Sequence, residues 1–216
     1  MKNPAPSPPP EKPARKGALR PALLAAARTL LDREGADAVT IRAVARACGV
    51  SHAAPANHFA DRRSLLTALA AELFADLAET MENALAGAPQ NPANKGFGTA
   101  RLTAFGEALV AYGLAHPERY RLLWRRDLLD GEDAALQGTM DRLYARLLEE
   151  LSALPLPAGK DPETAAVGLW SLCHGYISMR LDGNFIARRD KESGAPRHSA
   201  MIANYLAALA PQAHPA

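Results

Sequence analysis

From Leu19 onward, apolar residues return every three to four positions, the period of an α-helix with one buried face. Leu23, Ala26, Ala27, Leu30 and Leu31 predict a first helix, with Pro21 near its start and Gly35 ending it. Thr40 is placed to cap a second, whose Ile41, Val44, Ala45 and Cys48 share a face until Gly49 breaks it. Ser51 is placed to cap a short third helix to about His58, with Pro55 within or just past its first turn. Asp61 opens a long fourth with Leu65, Leu66, Leu69, Leu73 and Leu77 inward, and a loop rich in Pro, Asn and Gly follows over 87–98. A fifth covers about Thr99–Ala115, and Pro117 starts a short sixth over 118–126. Leu136, Met140, Leu143, Tyr144, Leu147 and Leu151 mark a seventh, ended by Leu154-Pro155-Leu156-Pro157. Asp161-Pro162 opens an eighth to about Leu181, and after a charged loop over 183–198, Ser199 is placed to cap a ninth to about Leu209. The pattern predicts an all-α fold of about nine helices without an internal repeat: a compact three-helix head followed by a larger helical body.

Composition narrows this further. Ala supplies 46 of the 216 residues and Leu 30, whereas Val and Ile together supply 9, so a β-rich fold is nearly excluded. The longest uncharged apolar stretch, Ala165–Met179, is 15 residues and falls short of a bilayer span. Cys48 and Cys173 give neither a disulfide framework nor a zinc spacing, and prolines rather than an apolar segment follow Lys2. The expectation is a cytoplasmic protein without membrane, metal or cofactor. Residues 1–16, Pro-rich and basic, are expected to be a disordered arm.

The net charge of +2 conceals an asymmetry: residues 1–64 carry +6 and residues 65–216 carry −4. A basic front on a mildly acidic body is the footprint of a chain that presents one end to a polyanion. The same front half holds a spacing with chemical meaning. Ala45 is small enough for close helix packing, Gly49 supplies a turn, Val50 an apolar plug and Ser51 a cap. These are the requirements of a helix-turn-helix, whose second helix is short and lays its N-terminal side chains on base edges.

The extended string is more specific. Thr40-Ile41-Arg42-Ala43-Val44-Ala45-Arg46-Ala47-Cys48-Gly49-Val50-Ser51, then His58-Phe59 and Asp61-Arg62 before Leu65-Leu66, resembles the N-terminal domain of TetR-family transcriptional regulators over about residues 23–73. Trp170 with His174-Gly175, and Pro117-Glu118 with Tyr120 upstream, resemble the C-terminal domain of a TetR subgroup named for a Trp-His-Gly motif, and Ser51-His52-Ala53-Ala54-Pro55 resembles that subgroup as well. The resemblance implies a DNA-binding domain over 17–61 and an effector-binding and dimerisation domain over 62–216. It also implies a homodimer paired through its last two long helices, a palindromic double-stranded DNA operator, and a small-molecule effector that alters the separation of the two heads.

Carried onto this chain, the resemblance makes Thr40, Arg42, Ser51, His52, Ala53, Ala54, Ala56, Asn57, His58 and Arg62 the expected DNA-binding residues. His52 can hydrogen-bond a purine edge and the methyls of Ala53 and Ala54 can meet thymine methyls. Thr40, Arg42, His58 and Arg62 fall to phosphates, and Asn57 to a phosphate or an adenine. Two positions depart from the family. Ala56 stands where an aromatic, most often Tyr, usually contacts a phosphate, so either affinity is weakened or Asn57 takes over. Arg63 stands where many members carry Glu; a positive charge in a first turn opposes the helix dipole, by ~0.3–1 kcal/mol, unless a DNA backbone lies beside it. The basic arm either enters a minor groove or is a solvated tail.

In the body, Phe105, Leu109, Tyr112, Leu123, Trp124, Tyr144, Trp170, Cys173, His174 and Tyr176 are the candidate walls of an effector pocket for an apolar or aromatic molecule. Such residues also make ordinary cores, and His174 either orients a ligand or satisfies a buried carbonyl. Gly168, Ser171 and Gly175, with the apolar stripe Ile202, Leu206 and Leu209, are expected on the dimer face. Cys173 and His174 are adjacent on a helix and point about 100° apart, so they form no nucleophilic pair and no catalytic residue is expected. The expectation is thus a ligand-responsive repressor. Its rivals are a helical small-molecule-binding or interaction module whose DNA head has weakened and, lacking any constellation, a helical hydrolase using Cys173 or a serine.

Overall fold

The structure, a computed structural model, describes residues 18–88 and 99–210. The arm over 1–16, most of the loop predicted over 87–98 and the tail over 211–216 lie outside the described residues. Among the described residues eight α-helices are present: α1 Leu19–Glu34, α2 Ile41–Ala47, α3 Arg62–Gly87, α4 Ala100–Ala115, α5 Pro117–Leu123, α6 Ala134–Ser152, α7 Pro162–Leu181 and α8 Arg197–Leu209. No strand occurs among the described residues; one isolated antiparallel bridge joins Arg189 and Pro196 in the loop before α8.

Side-chain caps fix most of the helix starts. The Thr40 hydroxyl accepts from the Ala43 N–H at 3.1 Å. Asp61 accepts from the Ser64 N–H at 2.8 Å while the Asp61 N–H donates to the Ser64 hydroxyl at 3.1 Å, a reciprocal capping box for α3. Asp133 and Asp161 cap α6 and α7 through the N–H groups of Leu136 and Thr164, at 2.9 and 2.8 Å.

The 26-residue α3 is the spine. It packs on α1 in the head and on α4, α5 and α6 in the body; α4 in turn lies against α7 and α8. A single apolar cluster runs from Leu23 through Leu73, Leu109 and Leu147 to Leu209. Helix α4 comes close to its neighbours because it carries glycine where they meet. A Cβ on Gly113 would lie 2.7 Å from the Ile177 side chain, and one on Gly106 would lie 3.0 Å from Ile202.

Five expectations are corrected. The third predicted helix is only a 3₁₀ turn, Ala54–Asn57, and Ser51 does not cap it with its side chain. Pro55 contributes: it falls in the first turn, and its ring disfavours the α conformation at Ala54. Helix α8 begins at Arg197, with Pro196 in the cap position instead of Ser199, and α5 ends at Leu123, three residues early. Gly168 does not serve a partner helix. Tyr205 of the same chain fills the space beside it, its hydroxyl 2.1 Å from where a Cβ would be and donating to the Ala165 carbonyl at 2.8 Å. The stripe Ile202, Leu206 and Leu209 is likewise buried within the subunit.

Candidate nucleic-acid interface and ligand pocket

The head assembles around Ala45 and Val44, both fully buried, with Phe59 closing it from below. Gly49 turns the chain at φ +66°, in the left-handed region where glycine carries no Cβ penalty, and the Val50 N–H then donates to the Ala45 carbonyl at 3.0 Å. Beyond this turn Ser51, His52, Ala53, Ala56, Asn57 and His58 are all exposed, Ala54 is half-buried and Pro55 is the buried anchor. Arg42 and Arg46 are exposed on α2, and Thr40 is half-buried with its hydroxyl engaged as the cap. The run after the turn therefore offers a row of small and polar side chains with little bulk, beside a helix that carries two free-standing cations.

Arg62 is placed otherwise than expected. Its Nε donates to the Val39 carbonyl at 2.9 Å and its Nη2 to the Ala36 carbonyl at 2.7 Å, with Asp37 3.6 Å away. The guanidinium fork ties the start of α3 to the turn that leads into α2, which positions the head. Arg62→Ala should raise amide exchange across α2 and cost about 1–3 kcal/mol, by the loss of two charge-assisted hydrogen bonds. Unchanged exchange, with weaker DNA binding and a shallower salt slope, would instead give Arg62 the phosphate role. Arg63 also turns to the protein, its Nη2 donating to the Leu129 carbonyl at 2.5 Å.

A further ion pair joins head and body, and a hydrogen bond within the body supports it. Arg119 on α5 makes a bidentate pair with Asp32 on α1, at 2.7 and 2.6 Å, and holds that carboxyl below the usual range. Thr67 of α3 accepts from the Asp130 N–H at 2.9 Å.

The body contains a cavity of about 300 Å³ between α3, α6, α7 and the end of α5. Phe74, Trp124, Met140, Asp141, Leu143, Tyr144, Val167 and Trp170 line it. Its aromatic rings cross steeply: Phe74 and Trp124 at 5.7 Å and 88°, Trp124 and Trp170 at 5.9 Å and 73°. Behind Trp124 sits His174, with ring centroids 4.8 Å apart. Burial lowers the His174 pKa and raises that of Tyr120, favouring the neutral form of each, and the Tyr120 hydroxyl and His174 Nδ1 share a hydrogen bond at 2.7 Å. The Trp124 indole N–H lies near enough to oppose the Tyr120 shift, yet it makes no hydrogen bond of acceptable geometry and stays unpaired.

Of the ten expected pocket residues the cavity gathers Trp124, Tyr144 and Trp170. His174 braces the wall from behind and is satisfied by a hydroxyl, where a carbonyl was the alternative considered. Phe105, Leu109, Tyr112, Leu123 and Cys173 are buried packing, and Tyr176, also buried, borders a separate cleft with Phe185 and Arg197. Tyr112 donates to the Leu73 carbonyl at 3.3 Å and is pushed up to about 12 by burial. The Cys173 thiol is likewise pushed up to about 12 by burial, which removes the thiolate that a nucleophile needs. Sequence reasoning missed Phe74, Met140, Asp141, Leu143 and Val167. The available signals were an aromatic set inside the leucine stripe of α3 and the i, i+3 pairs 140/143 and 167/170 on facing helices.

Comparison with known proteins follows the same division of the chain. A sequence model described as "Bacterial regulatory proteins, tetR family" matches residues 23–69, and one described as "Tetracyclin repressor-like, C-terminal domain" matches residues 102–204. An uncharacterised HTH-type transcriptional regulator of Mycobacterium tuberculosis is 28% identical over 164 residues, covering 76% of this chain and 71% of that protein. A protein of unknown function from Rhodococcus sp. RHA1 superposes with a TM-score of 0.75 at 29% identity, over 93% of this chain and 100% of the other. A TetR family transcription regulator from Marinobacter aquaeolei VT8 shares the fold at a TM-score of 0.60 and 17% identity, over 92% of this chain and 98% of the other. With both halves matched in order by models of one family, the chain belongs to the TetR family of bacterial regulators and is a helix-turn-helix transcriptional regulator.

Proposed function

We infer that this regulator is a homodimeric repressor that binds a palindromic operator in the cytoplasm and is released by a small apolar or aromatic effector. The observation that carries the reading is the largely exposed run Ser51–His58 behind the Gly49 turn, on a head tied to the aromatic-walled body by Arg119–Asp32 and by Arg62 on the Ala36 and Val39 carbonyls. Residues 17–61 act as the DNA-binding domain and 62–216 as the effector and dimer domain, with the arm over 1–16 preceding them. His52, Ala53 and Ala54 read bases; Thr40, Arg42, Ser51, Asn57 and His58 serve phosphates. A dimer face on α7 and α8 is supported by Val167 and Met179, 50% and 44% exposed, and by Gly175, beside which no atom lies within 4 Å. The pairing of Trp170 and His174 around Trp124 supports placement in the Trp-His-Gly subgroup.

The test is fluorescence anisotropy on DNA flanking its own gene against scrambled DNA, across a salt series. Preference of two or more decades, one dimer per palindrome and a steep inverse salt dependence are expected. His52→Ala should relax base preference without changing the salt slope. The second reading, a ligand-binding module with a weakened head, is favoured by Ala56, which is exposed and has no hydroxyl, and by the shortness of the 3₁₀ turn that carries it. Equal weak binding to all DNA, together with failure to select a site from random sequence, would decide for that module.

A further inference from the structure

We propose that the ligand of the body cavity is an organic cation: a small molecule with an aromatic or apolar body and an ammonium-type charge. This rests on the reading of that cavity as the effector site and adds the sign of the effector's charge. Phe74 and Trp170 each pack edge to face on Trp124, at 88° and 73°, and the three rings border one cavity with Tyr144 from α6 as a fourth. Crossed aromatic walls are the arrangement that holds quaternary and methylated ammonium groups, because each ring face carries the negative end of its quadrupole.

Charge points the same way. Among the described residues Asp141 is the charged residue of the lining, and no basic side chain is part of it. Arg142, its exposed neighbour, has its Nη1 3.8 Å from where a Cβ on Gly138 would lie, one turn back along α6. On the α7 side, Tyr144 is raised first by desolvation and then by the carboxylates of Glu163 and Asp161, so further negative charge stands by the same wall. Behind Trp124, burial favours a neutral His174 over an opposing cation. An anionic ligand would meet aromatic faces and a carboxylate with no cation to pair with, and a neutral one would leave Asp141 unused.

The chain's two tryptophans both line the cavity, so its intrinsic emission reports on this site. The experiment titrates the full-length protein, at constant ionic strength, with benzyltrimethylammonium and with neopentylbenzene, its neutral carbon isostere. Wild type is expected to bind the cation at least tenfold more tightly. Asp141→Asn, an exposed change that leaves the core untouched, is expected to lower cation affinity three- to tenfold and to leave the isostere unchanged. Equal or tighter binding of the isostere by wild type overturns the cation assignment while the effector pocket stands. Unchanged cation affinity in Asp141→Asn overturns the role of the carboxylate and with it the sign argued here. No response to either compound overturns the effector-pocket reading and the proposal together.

Discussion

Phe74→Ala should lower the free energy of unfolding by about 3–5 kcal/mol at fixed protein concentration, the range for deleting a buried aromatic ring. Phe74 is 1% exposed on α3, between the fully buried Leu73 and Leu77, and its ring meets Trp124 edge-on at 5.7 Å. Its loss removes apolar contact area, an aromatic pair and one wall of the cavity at once, so the variant should also show red-shifted tryptophan emission. Phe74→Leu keeps most of the volume and should cost less than about 1.5 kcal/mol. Chemical denaturation of both variants is the check. An alanine variant within about 1 kcal/mol of wild type would mean that α3 does not pack against Trp124 as described.

Gly113→Ala should destabilise the body by about 1–3 kcal/mol even though alanine is the better helix former, by about 1 kcal/mol. The added methyl would sit 2.7 Å from Ile177 Cγ2, 3.0 Å from its Cδ1 and 3.2 Å from Tyr120 Cδ2. Neither neighbour yields readily. Ile177 is fully buried and branched at Cβ, and Tyr120 is 1% exposed and held by His174. Ile177→Ala in the same chain should relieve the clash, so the double variant should cost less than the sum of the two single changes. Gly175→Ala is the counterpart. With no atom of its own subunit within 4 Å, an added methyl there should weaken the proposed dimer, and a gain of up to about 1 kcal/mol instead would mean that no second subunit packs against α7 at that point. Equal stability of wild type and Gly113→Ala would show that α4 and α7 have room to part.

Much of this architecture was legible because helix boundaries are local chemistry. Asp61 and Asp161 stand where their carboxylates cap α3 and α7, and the scarcity of Val and Ile left no material for a sheet. What was not legible depended on which neighbour a side chain meets. Periodicity marked Ile202, Leu206 and Leu209 as one face of α8 but could not say that the face turns inward toward α4 and α7. Tyr112 and Tyr144 both sit on amphipathic helices, yet one is sealed in the core and the other borders a cavity, because cavity volume depends on how α6 sits against α7. An arginine at the start of a helix next to a DNA-binding turn reads as a phosphate ligand until the carbonyls of Ala36 and Val39 are found within its reach. Pro55 was visible, but the length of helix it permits is settled by the backbone on both sides of it.

Helix α3 passes the cavity at Phe74 and enters the head at Arg62, twelve residues and about 18 Å away. It is therefore a lever pivoted in the wall. A tilt of about 10° around Phe74 would carry Arg62 sideways by about 3 Å, close to the rise of one base pair. Because α5 brings Trp124 to the same cavity and is paired to α1 through Arg119 and Asp32, the head would travel with the wall instead of flexing away from it. In a symmetric pair the displacement doubles to about 6 Å, enough to put two heads out of step with half-sites spaced by one turn of DNA.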